Sequence, residues 1–158
     1  MAYQAAHHHY PVRARLPRWL VVGFIAGFVS VIVFHQGAAA LLHALDLTPR
    51  APFSFQATRP FGVPQLWSIA FWGGVWGVIL AAALARLDGA RLIVAATIFG
   101  AIFPTLVAWF VVAPLKGNPM AAGFVPAAML LGPIVNGAWG LGTGIGLAIF
   151  GRPRSVAT

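Results

Sequence analysis

Apolar residues run with few interruptions over four stretches of the chain: Trp19–Leu42, Gln65–Ala85, Leu92–Val112 and Pro126–Phe150. A helix needs about 20 apolar residues, at about 1.5 Å rise each, to cross the hydrocarbon core of a bilayer. All four stretches meet that length. The pattern predicts an all-α integral membrane protein, a four-helix transmembrane bundle over residues 19–150. A tail of residues 1–18 precedes it and a tail of residues 151–158 follows.

The polar breaks differ in kind. Arg86-Leu87-Asp88-Gly89-Ala90-Arg91 is a tight polar turn, which predicts that the second and third spans form an antiparallel hairpin. The connection of residues 46–63 instead holds three prolines and three phenylalanines, a composition that opposes both helix and free solvation. Its phenylalanines are expected on the membrane interface or on the helix ends. The plain reading is a loop packed over its own bundle; a partner-binding or ligand-gating loop is the alternative.

Basic residues set the orientation. Arg13, Arg15, Arg18, Arg86, Arg91, Arg152 and Arg154 fall on one side, seven in all, against three on the other, Arg50, Arg59 and Lys116. An excess of Lys and Arg marks the cytoplasmic side, so both termini are expected there. The Trp19–Leu42 run, with Ala38-Ala39-Ala40 near its end, superficially imitates a signal peptide. It exceeds the about 7–15 apolar residues of such a segment, and an uncleaved first helix is expected.

Composition sharpens this picture. Of 158 residues, 60% are hydrophobic and 8% charged, with a mean hydropathy of +0.87. A soluble domain of this size lacks the interior to hide so much apolar surface, so the lipid bilayer must cover part of it. The formal net charge of +8 would suit a nucleic-acid binder. The basic residues, however, sit singly or in small groups at the ends of apolar runs, which argues against nucleic acid and for lipid headgroups. With no cysteine, disulfides, thiolate zinc sites, iron–sulfur clusters and cysteine nucleophiles are excluded.

Shifting the chain by 62 positions places Ala51-Pro52 on Ala113-Pro114 and Val63-Pro64 on Val125-Pro126. The spans that follow carry Trp72-Gly73-Gly74-Val75-Trp76-Gly77 and Asn136-Gly137-Ala138-Trp139-Gly140, whose tryptophans need a slip of one residue to register. The pattern raises two helical hairpins related by a parallel pseudo-two-fold repeat. Lipid tails give no hydrophobic drive for helix association, so small residues mark the close contacts. Gly23 with Gly27, and Gly73 with Gly77, form such pairs on the first and second spans. The fourth span has two interleaved pairs, Gly140 with Gly144 and Gly142 with Gly146, leaving one face for the bundle and another for a partner subunit. Pro104 and Pro133 are expected to kink the third and fourth spans.

Polar residues within the spans are the candidates for chemistry. They include His35, Gln36, Ser68 and Asn136, and no Asp, Glu, Lys or Arg occupies the middle of a span. That opposes a carboxylate proton relay. His35-Gln36 is the best constellation for a cofactor, since a neutral imidazole there could ligate haem or hydrogen-bond a quinone. His43 lies on the same helix, about 12 Å along it, so the two histidines cannot clamp one haem. A structural His35, bonded to Asn136 or to a backbone carbonyl, is the competing reading. His7-His8-His9 reads as an adventitious tract rather than a metal site. Asp46 and Asp88, the only acids, fall on opposite sides of the membrane, which excludes paired-carboxylate catalysis.

The segments Phe34-His35-Gln36-Gly37, Pro60-Phe61-Gly62-Val63-Pro64-Gln65 and Phe71-Trp72-Gly73-Gly74-Val75-Trp76-Gly77 resemble a group of four-helix bacterial inner-membrane proteins of uncharacterised activity. The resemblance covers the first two spans and their loop, and implies a multi-pass protein of the bacterial inner membrane with no particular mechanism. The leading expectation is a small accessory subunit of a larger respiratory or photosynthetic complex, joined to other membrane subunits or to copies of itself and touching lipid or quinone. The alternatives are a small homo-oligomeric transporter or channel for a neutral solute, with Asn136 on its path, and a haem- or quinone-binding protein using His35.

Overall fold

The structure is a computed structural model, and it describes residues 16–151. The His7–His9 tract, Arg13, Arg15, Arg152 and Arg154 lie outside them. Four helices are long and apolar enough to cross a membrane: Pro17–Ala44 (span 1), Gln65–Ala83 (span 2), Gly89–Leu115 (span 3) and Pro126–Phe150 (span 4). The chain is a multi-pass, four-helix membrane protein. Span 1 starts and span 4 ends on one face of the bundle, where Gly151 abuts the Trp19 ring. The Arg86–Arg91 turn shares this terminal face, and the other two connections form the loop face.

Spans 1 and 3 run longer than the apolar stretches Trp19–Leu42 and Leu92–Val112, and each contains one wide turn with π-type bonding, at Val31–His35 and Ala108–Val112. Such a turn accommodates one extra residue without ending the helix. In span 3 it begins four residues past Pro104, whose ring removes one rung from the bonding ladder. Span 4 continues through Pro133 and opens with Pro126 in its first turn, where a missing N–H costs nothing.

The helices stand in a row, with span 2 against span 1, span 1 against span 4, and span 4 against span 3. This corrects one expectation. Spans 2 and 3 are joined by the shortest link yet scarcely touch, beyond an edge-on contact of Trp76 with Phe99 at 6.1 Å between ring centroids. The reason is reach. The linking residues 84–88 can stretch about 17 Å, well beyond the about 8–10 Å between packed helix axes, so the turn does not oblige its helices to pack.

Small residues decide the neighbours. Along span 2 the buried positions are Leu66, Ala70, Gly73, Gly74, Gly77, Leu80 and Ala81, one face at helical spacing, and its outward face is just as apolar. Size, rather than hydrophobicity, separates inside from outside. A methyl group built on Gly77 would overlap the Gly23 carbonyl oxygen and lie 3.1 Å from Gly27 Cα. One built on Gly140 would overlap the Ala96 carbonyl oxygen and lie 3.1 Å from Gly100 Cα. The span 1–span 2 and span 3–span 4 crossings are therefore locally alike.

The matching residues of these two crossings do not follow one shift. Gly77 and Gly140 are 63 positions apart, the register that also aligns Trp76 with Trp139, whereas Gly27 and Gly100 are 73 apart. The connection between spans 1 and 2 is longer by the difference. The likeness stops at the crossings, because span 1 packs broadly on span 4 while its counterpart pair, spans 3 and 2, does not.

The loop face is folded. Ala57–Thr58 and Val63–Pro64 pair as a small antiparallel hairpin with a cis Arg59–Pro60 bond at its turn. Leu66 N–H donates to Ser54 O at 3.0 Å and Gln65 N–H to Gln56 O at 2.9 Å, so the loop is stitched to the start of span 2. The connection before span 4 closes with four successive positive φ angles, Ala121 to Phe124, around a fully buried Ala121.

Candidate functional site

The polar residues of the spans fall into three groups. The first lies where spans 1 and 4 cross. The Trp139 indole Nε1–H donates to Gly27 O at 2.9 Å, and the Ser30 hydroxyl donates to Trp139 O at 2.6 Å. The Thr143 hydroxyl donates to the same carbonyl at 2.9 Å. Trp139 reaches the Gly27 carbonyl because glycines remove the side chains that would otherwise separate the helices.

The second group is Asn136 with Thr105, linking spans 4 and 3 through an amide N–H donated to the hydroxyl at 2.9 Å. Asn136 does not bond His35, one of the partners that the residue types suggested. The third is His35 with Gln36. Gln36 Nε2 stands 3.4 Å from His35 Nδ1, a long contact, and Gln36 Oε1 accepts the Phe53 backbone N–H at 2.6 Å. Gln36 is buried and acts as the anchor of the loop. The wide turn at Val31–His35 immediately precedes it, setting Val31 against Gly73 and Phe34 against Gly142.

The glycines of span 4 are used within the chain on both faces. Gly140 and Gly144 meet Ala96 and Ile93 of span 3, while Gly142 meets Ser30 and Phe34 and Gly146 meets Ala26 of span 1. The second glycine face expected for a partner subunit is thus occupied by span 1. Gly23, Gly27, Gly73 and Gly77 meet one another between spans 1 and 2. Ser68 stands apart from all three groups, in a groove between the loop-face hairpin and the start of span 2.

Two bonding residues escaped the sequence reading: Trp19, whose Nε1–H donates to Ala81 O at 2.6 Å, and Trp139. Trp139 stood in a segment noted only for its repeat. The usable signal was a tryptophan flanked by glycines in mid-span, since a buried indole N–H needs an acceptor and glycine exposes one. Among the described residues no buried side-chain nitrogen or oxygen lacks a partner. Among them, too, no three His, Asp or Glu side chains gather as a metal site would require. Compared with protein families, curated proteins and solved structures, the chain matches none.

Proposed function

We propose that the chain is a small accessory subunit of a larger bacterial inner-membrane complex, respiratory or photosynthetic, that works by packing against its membrane partners. The observation that carries this reading is the loop face. Its connections are held to the bundle by hydrogen bonds, yet they leave large apolar side chains uncovered: Phe61 is 88% exposed and Phe124 64%, and Leu115 at the end of span 3 is 82% exposed. Apolar groups held uncovered at and beyond the ends of the spans suit a protein neighbour, which would take them out of water. The interior supports the reading in another way. Trp19, Ser30, Asn136 and Trp139 spend their polar groups on bonds between spans, which ties the bundle together as a packing unit. The seven-to-three distribution of basic residues supports termini in the cytoplasm.

The test is the native mass of the protein extracted from its own membrane in mild detergent. Migration within an assembly much larger than a few copies of the chain is the expected result. Migration alone or as a small homo-oligomer overturns the reading.

A further inference from the structure

The loop-face groove has the chemistry of a binding site. It encloses about 580 Å³ between the hairpin and span 2, with Arg59 and Phe61 on the hairpin side and Trp67, Ser68, Phe71 and Trp72 on the helix side. That volume lies within the about 300–1,000 Å³ typical of ligand sites. The lining divides by polarity. Trp67, Phe71 and Trp72 form an aromatic floor, braced by Phe55 on Trp67 and Phe24 on Phe71 at 6.3 and 6.1 Å between centroids. At the rim stands Arg59, which has no acidic partner among the described residues; the chain's only acids are Asp46 and Asp88. The Ser68 hydroxyl likewise has no bonding partner among the described residues, and it lines the same groove.

We propose that this groove binds one anionic phospholipid, its phosphate on Arg59 and its acyl chains along the outward face of span 2. Position and charge both select that ligand. The groove lies at the beginning of a span, where the headgroup region meets hydrocarbon and tryptophan is favoured. The exposed face of span 2 continues from Phe71 and Trp72 to Ile79, an apolar track for a chain that enters the bilayer. The guanidinium supplies forked donors to phosphate oxygens, and Ser68 can add a hydroxyl donor to the glycerol or phosphate region. Arg50 and Lys116 on the same face outnumber its one acid, Asp46, and leave a positive field that opposes a cationic ligand and favours an anionic one. A free phosphate would leave the aromatic floor uncovered. The site is complete within one chain, so it stands whether or not the chain joins a larger assembly.

The experiment uses delipidated full-length protein offered an equimolar mixture of phosphatidylglycerol and phosphatidylcholine with identical acyl chains. Adducts are weighed by native mass spectrometry. The first adduct is expected to favour phosphatidylglycerol by about fivefold, the effect of one arginine near an anionic headgroup. R59Q, at an exposed position, abolishes that preference. R50Q, which changes a loop-face arginine outside the groove, retains it. Equal adducts of the two lipids, or a preference that survives R59Q, overturns the proposal. Excess inorganic phosphate leaves the lipid adduct in place; its displacement of the lipid identifies a free-phosphate site and also overturns the proposal.

Discussion

Replacing Gly77 by alanine puts the packing argument to its most direct test. The added methyl would overlap the Gly23 carbonyl oxygen, lie 3.0 Å from the Gly23 carbonyl carbon and lie 3.1 Å from Gly27 Cα. All three obstacles are backbone, so no side chain can swing aside, and spans 1 and 2 must separate by roughly 1 Å to restore ordinary contact. A gap of about 0.5–1 Å forfeits about a quarter to a half of the dispersion energy of each facing atom pair. Overpacking costs about 1–3 kcal/mol, and a rigid obstacle belongs in the upper part, about 2–3 kcal/mol. Alanine recovers about 1 kcal/mol of helix propensity, leaving a net loss of about 1–2 kcal/mol. Gly37→Ala is the control, because a methyl at Gly37 meets nothing within 4 Å; it gains the propensity alone. Gly140→Ala should match Gly77→Ala, since its methyl meets Ala96 and Gly100 in the same way. The assay is unfolding of the full-length chain in mild detergent by rising dodecyl sulfate, followed by tryptophan fluorescence. A Gly77→Ala midpoint equal to that of Gly37→Ala would refute the reasoning.

Two further outcomes follow from the hydrogen bonds. Trp139→Phe removes the donor to Gly27 O together with part of a buried ring; the bond alone should cost about 0.6 kcal/mol in the same unfolding assay, the average between membrane helices, and at most about 1.7 kcal/mol, with the lost packing adding to it. No change in midpoint would mean that the Gly27 carbonyl is satisfied elsewhere. Gln36→Leu frees the Phe53 N–H, so hydrogen exchange of the loop around Phe53 should speed up about tenfold while spans 3 and 4 keep their protection, a local opening rather than a global one. Uniform acceleration across all spans would show that Gln36 holds the bundle rather than the loop.

The candidate sites were unevenly legible. His35-Gln36 stood out because imidazole and amide are rare at that depth, but residue type alone could not say what they bond. The acceptor of the Phe53 N–H lies 17 residues away along the chain, and nothing local marks that pairing. The groove under the hairpin was hidden for a similar reason. Arg59 counted toward orientation, and Trp67 and Phe71 read as span residues; only the folding back of Ala57–Pro64 over span 2 brings them together.

Helix number and the approximate place of each span were determined by the sequence itself. The hydrocarbon core imposes a one-dimensional rule, a stretch of sufficient length whose backbone bonds are satisfied internally, and a rule of that kind can be read along a chain. Which helices touch was decided only in three dimensions. Spans 2 and 3 are neighbours in sequence and scarcely in space, and the second glycine face of span 4 is filled by span 1. In lipid every face of a span is apolar, so hydropathy carries no record of the partner. Shape does: the fit of Gly77 on Gly23 and of Gly140 on Ala96 belongs to pairs of surfaces, and exists only once the helices have met.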